Sequence, residues 1–159
     1  MHLYDAEPLT ATTVLPAISS CRFRNPLDLV DYAAVDRTIG WKTWPEVWHL
    51  DAEGALQCGW RASTLDSIKS WAADPSPLLE ARAHCATEGG CTDRCVVVDS
   101  RPAIIYPPPA VDESDVAAFA IVSKHLADVG VRLLDVVVFD DRQHWWSLHE
   151  FTTGATEWD

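Results

Sequence analysis

Two apolar runs in the second half of the chain limit the possible folds more than any other feature. Val96 to Val98 is a short β-branched run, and Leu133 to Phe139 is a near-continuous one. Runs of this kind suit strands buried on both faces. Between them Asp112 is a good helix N-cap, Val116, Phe119, Ala120 and Leu126 are spaced for one helical face, and Gly130 is placed to end the helix. Strand, helix, strand across 95–139 is a βαβ crossover, so at least part of the sheet is expected to be parallel.

The first strand ends on the polar trio Asp99, Ser100 and Arg101. Polar side chains at the end of a buried strand are a natural place for a site. The loop behind them carries Pro102, Pro107, Pro108 and Pro109, so it cannot continue a ladder.

Upstream, Asn25-Pro26 predicts a helix start, with Leu27, Val30, Ala34 and Ile39 sharing a face up to Gly40. Trp44 to Leu50, a turn at Asp51–Gly54, and Ala55 to Trp60 predict a β-hairpin. Ser63 to Ala73 is compatible with a short helix or an irregular connection. Asp74-Pro75 starts another helix, which Gly89-Gly90 ends. Asp140 to Gln143 turns the last buried run into a partner strand over His144–His149. Residues 1–20 are expected to form an irregular arm, 21–151 a single domain, and 152–159 a frayed tail.

At 159 residues with 48% apolar content, the chain is long enough for a real core. The net charge of −12 is spread over both halves. Such a surface repels phosphate backbones and anionic lipid, which disfavours direct nucleic-acid or membrane contact. No run of about twenty apolar residues is present to span a membrane. The N-terminal residues lack the basic and apolar regions of a secretory signal, so a cytoplasmic location is expected. The five cysteines, odd in number and irregularly spaced, are expected to be free thiols in a reducing compartment.

The order of the segments Phe23–Asp28, Val47–Asp51, Val96–Pro102, Asp112–Asp115, Gly130–Asp135 and Ser147–Glu150 resembles the RadC-like branch of the JAB/MPN metalloprotease-like domains over about residues 21–151. The most specific piece is Gly130-Val-Arg-Leu-Leu-Asp135 before a Val-rich strand. The resemblance implies an α/β (α+β) fold, a mixed central β-sheet with flanking helices in the JAB/MPN (cytidine deaminase-like) architecture.

Active members of that family hold zinc with two histidines in a His-x-His-Pro segment and an aspartate in a Ser-x-x-Asp segment, and an upstream glutamate activates the bound water. Carried onto this chain, Asp99 and Arg101 stand where the histidines belong, and Asp112 replaces the serine. Only Pro102 and Asp115 match. A guanidinium has no free lone pair and stays charged, so Arg101 argues against zinc and no cofactor is expected. Thr43 or Trp44 falls near the place of the upstream glutamate, and Glu46 follows a few residues late.

The expected function is therefore a catalytically inactive domain that binds another protein. One alternative is a metal-dependent hydrolase, a peptidase or phosphoesterase, with Asp99, Asp112 and Asp115 holding a divalent ion such as Mg²⁺ or Mn²⁺ and Arg101 a phosphate. Another is an acidic inhibitor or DNA mimic from a phage or mobile element. Asp112 and Asp115 equally suit the N-cap and N3 of a helix, and Asp99 with Arg101 an ion pair. His84, Cys85, Cys91 and Cys95 form a second possible zinc cluster, idle thiols with Cys95 in the core, or a disulfide. Most of the eight tryptophans should be core. Trp145 and Trp146, adjacent on a strand, point to opposite faces and make a candidate protein-binding anchor.

Overall fold

The helix predicted at Asn25-Pro26 forms over Pro26–Asp36 (α1). The Asn25 side chain accepts from the Asp28 N–H at 3.0 Å, and Pro26 fills the first helical position, where an N–H would have had no partner. The computed structural model describes residues 22–36, 45–61, 67–87, 93–101, 111–140 and 144–158. The inward face of α1 is corrected: Leu29 is fully buried, with Val30 packed beside it, whereas Leu27 is 53% exposed.

Five strands form one sheet in the order β2-β1-β3-β4-β5. β1 (Glu46–Leu50) and β2 (Leu56–Arg61) are the expected antiparallel hairpin. At its turn Asp51 Oδ1 accepts from the N–H groups of Glu53 and Ala55 at 2.8 and 2.9 Å. Gly54 takes φ +88°, and a Cβ there would stand 2.6 Å from the Phe23 carbonyl oxygen. β1 also pairs antiparallel with β3 (Arg94–Arg101), which runs through the polar trio rather than stopping before it. β3 pairs in parallel with β4 (Arg132–Asp140) through the crossover helix α4 (Glu113–Ala127), as expected.

Both faces of the sheet are covered, which explains why the central strands read as unbroken apolar runs. Val47, Cys95, Val97, Val136 and Val138 face one core with α4, α2 (Ile68–Ala73) and α3 (Ser76–Thr87). Trp48, Leu50, Val96, Val98, Val137 and Phe139 face the other with α1 and Trp158. The β3–β4 register slips between Cys95 and Val96, which pair with Leu133 and Asp135 and leave Leu134 as an extra residue. That bulge turns Asp135 onto the α1 side of the sheet.

The segment before Asp74 is settled as helix: in α2, Ser67 and Ser70 form a reciprocal capping box, and Ile68 and Trp71 are buried. The buried line of α4 is Asp115, Ala118, Val122 and Leu126. Of the expected stripe only Leu126 is fully buried, with Val116 and Phe119 half-buried and Ala120 exposed. Gly130, at φ +79°, makes the expected left-handed stop.

Two corrections concern the C-terminal segment. The partner strand is only Trp145–Ser147 (β5), and Leu148–Thr153 is a helix (α5), because Ser147 Oγ caps the Glu150 N–H at 3.0 Å. The tail expected to fray instead packs back at Trp158: its N–H donates to the Arg24 carbonyl at 2.9 Å, its indole reaches Asp135 of β4, and the residue is only 9% exposed.

Candidate functional site

α4 runs antiparallel to β3 and β4, so its N-terminus meets the C-terminal ends of the two parallel strands, the usual place for a site in an α/β sheet. Asp99 lies there, 4% exposed. Alternation from Val97 puts it on the helix-covered face. Asp112 and Asp115 are the N-cap and N3 of α4, as their spacing predicts. Asp112 Oδ1 accepts from the Ser114 and Asp115 N–H groups, and Asp115 Oδ2 accepts from the Asp112 N–H at 2.9 Å.

α2 brings a cation to the same place. Lys69 Nζ lies 3.6 Å from Asp112 Oδ1 and 3.8 Å from Asp115 Oδ1. The Asp112 carboxyl is held down to about 2, first by the Ser114 hydroxyl and then by the Asp115 N–H, with a smaller contribution from Lys69. Asp115 is 1% exposed, so this carboxylate is enclosed by its own cap and a neighbouring ammonium.

Glu46 does not join them. It pairs across the ladder with Val98, which faces the α1 core, and its Oε1 accepts from the Trp48 indole at 3.1 Å. Its side chain is therefore on the opposite side of the sheet from Asp99. The backbone of Arg101 closes β3 opposite Asp140, but its side chain and the proline-rich loop lie outside the described residues. Among the described residues, no group of three or more His, Cys, Asp or Glu side chains is placed to hold a metal ion.

Cys95, of the second cluster, is a free thiol fully buried in the core, and burial pushes it up to about 12 despite the charge of Arg82. The His84 and Cys85 side chains and Cys91 lie outside the described residues. The expectation of five free thiols is corrected, because Cys58 in β2 is disulfide-bonded. Trp145 and Trp146 are both half-buried and point to opposite faces; the ring of Trp146 lies 6.2 Å from that of His144.

Two polar sites went unnoticed in the sequence. Asp135, with no exposed surface, accepts from the Ser147 hydroxyl at 2.5 Å, the His149 N–H at 2.9 Å and the Trp158 indole at 2.9 Å. Its signal was an acid interrupting an apolar run. His49, 1% exposed, faces the helices from β1, and Arg82 of α3 acts on it. A cleft of about 240 Å³ lies at the other end of the sheet, lined by Phe23, Asp51, Gly54, Arg94 and Trp158 among others. No helix is long and apolar enough to cross a membrane among the described residues. No protein-family model matches the chain, and no curated protein matches it in sequence.

Proposed function

We propose that the chain is a RadC-like JAB/MPN domain that has lost its zinc site and works by binding another protein. The mixed five-stranded sheet with flanking helices is compatible with that architecture. The observation that carries the reading is the state of Asp115. This is the one ligand-type residue the resemblance retains, and its carboxylate is taken up by the Asp112 N–H at 2.9 Å and by Lys69 at 3.8 Å. A cation entering here would have to displace an ammonium and break a helix cap. The Glu46 carboxylate, on the other side of the sheet, is in no position to activate a water beside Asp115.

Binding in place of catalysis suits the charge of −12, which favours a basic protein surface over nucleic acid or lipid. Trp145 and Trp146 remain the proposed anchor. The cytoplasmic part of the reading loses the support of the cysteine count, since disulfides such as that of Cys58 belong mostly to oxidising compartments.

Metal analysis of protein purified without a histidine tag is the test. The expected result is less than stoichiometric zinc, manganese or magnesium and an unchanged melting curve in chelator. A stoichiometric metal lost in Asp115→Ala overturns the reading in favour of a metal-dependent hydrolase. Salt-sensitive competition with DNA for a basic partner would instead identify a DNA mimic.

A further inference from the structure

The cleft at the start of the two parallel strands takes no part in the proposed function. β3 enters it at Arg94, which pairs with Leu50 across the β1–β3 ladder and shares a face of the sheet with Val96 and Val98. The Arg94 side chain, 31% exposed, therefore lies on the side of α1 and Trp158. Leu134, the extra residue of the β3–β4 bulge, lines the same cleft, and bulges are common beside binding sites.

The walls are held by contacts between distant parts of the chain. The Phe23 N–H donates to the Gly54 carbonyl at 2.8 Å, the Trp158 N–H to the Arg24 carbonyl at 2.9 Å, and the Asn25 amide to Glu157 Oε1 at 3.1 Å. Such a cleft is preformed. At about 240 Å³ it is smaller than the roughly 300–1,000 Å³ that takes a drug-sized ligand.

Charges of both signs line it. Asp51 is engaged at Oδ1 by the Glu53 and Ala55 N–H groups and at Oδ2 by the Gln57 amide at 3.2 Å. Arg94 Nε has the exposed Asp93 carboxylate at 3.9 Å. The Arg24 guanidinium and the Glu53 carboxylate, by contrast, have no hydrogen-bond or ion-pair partner among the described residues. Both face this cleft, and no ion pair joins them.

An ion of one sign would be repelled by part of this lining, whereas a molecule carrying a carboxylate beside an ammonium answers both parts. Phe23, Leu134 and Trp158 offer an apolar side chain a surface. We propose that the cleft binds a free α-amino acid with an apolar side chain. Arg94 and Arg24 receive its carboxylate, and Glu53 its ammonium. This site is at the opposite end of the sheet from Asp115 and is independent of the relic site and of any protein partner.

The test titrates the full chain at pH 7 and fixed ionic strength with L-leucine and with L-phenylalanine. Each is compared with its two singly charged analogues: isoamylamine and isocaproate for leucine, phenethylamine and hydrocinnamate for phenylalanine. The expected result is that the Trp158 indole and Gly54 amide signals move along one saturable curve with at least one of the amino acids. Each of its analogues should bind roughly tenfold more weakly or worse. Glu53→Gln should weaken the amino acid by a similar factor and leave the carboxylic analogue unchanged, whereas Arg24→Gln should weaken both. Both residues are exposed, so neither substitution removes a packed group. Signals indifferent to both amino acids, an analogue that binds as tightly as its parent, or an affinity for the amino acid unchanged in either variant would overturn the proposal.

Discussion

The indole N–H of Trp158 donates to Asp135 Oδ2 at 2.9 Å, so a residue at the end of the chain is held by a carboxylate in the middle of a central strand. The same carboxylate takes the Ser147 hydroxyl and the His149 N–H, and thereby fixes the start of α5 as well.

Asp135→Ala should be among the most damaging single substitutions, because it leaves three donors without their acceptor. The expected loss is about 3–5 kcal/mol in urea unfolding, with a change in tryptophan fluorescence as Trp158 leaves the core. Asp135→Asn, which keeps an acceptor oxygen and carries no charge, should cost less. Burial raises the Asp135 carboxyl above its usual 3.8 despite the donors. The folded state therefore holds this proton more tightly, and stability should fall as pH rises from 3.8 through the folded value. Asp135→Asn should remove that slope.

His49 acts in the opposite direction. Burial, aided by Arg82, lowers it from 6.5 to about 4, so between these values the unfolded chain binds more protons. Its contribution is fully present above 6.5 and lost as pH falls through about 4, on the order of 3 kcal/mol in all. His49→Leu should stay within about 1.5 kcal/mol of the parent at pH 7, since it removes groups with no partner, and should flatten this limb of the stability curve.

Gly54→Ala tests the turn between β1 and β2. The left-handed φ of +88° and the approach of 2.6 Å to the Phe23 carbonyl leave a methyl group no room. The substitution should also break the 2.8 Å bond from the Phe23 N–H to the Gly54 carbonyl. A loss of about 2–4 kcal/mol by denaturant titration is expected, and an unchanged midpoint would contradict the geometry.

Cys95 should resist alkylation by iodoacetamide in the native protein and react only on unfolding, because it is fully buried and pushed up to about 12. Mass spectrometry before and after reduction should show Cys58 protected by its disulfide. Reduction should lower stability by about 2–5 kcal/mol.

At the cap of α4, Asp115→Ala should lower the melting midpoint more than Asp112→Ala. Both carboxylates meet Lys69, but Asp112 is an exposed cap, whereas Asp115 is a buried acceptor. Circular dichroism melts of the two variants make the comparison.

Local patterning made most elements legible. Asn25-Pro26 and Asp112 announce helix starts because a cap needs only a side chain and the N–H groups two or three residues on. The valine runs announce central strands because both faces of such strands are covered. Helix faces were less legible: Leu27 fits the period as well as Leu29, and only the position of the sheet selects Leu29. Glu46 lies opposite Val98, one position from Asp99 on the paired strands, yet the two-residue alternation puts a sheet between the two side chains. The helix at Leu148–Thr153 was hidden because its first N–H groups are met by Ser147 and by Asp135, the latter fourteen residues before the His149 N–H that it accepts.

The sequence by itself announced the elements of the crossover, the hairpin and the helix caps at Asn25 and Asp112, because each is marked by patterning within a few residues. Only the tertiary structure decided which acids are enclosed, which cation meets Asp115, and that Trp158 belongs to the core. Those outcomes depend on groups far apart in the chain, and burial, which turns a polar side chain into a constraint, exists only once the layers have packed.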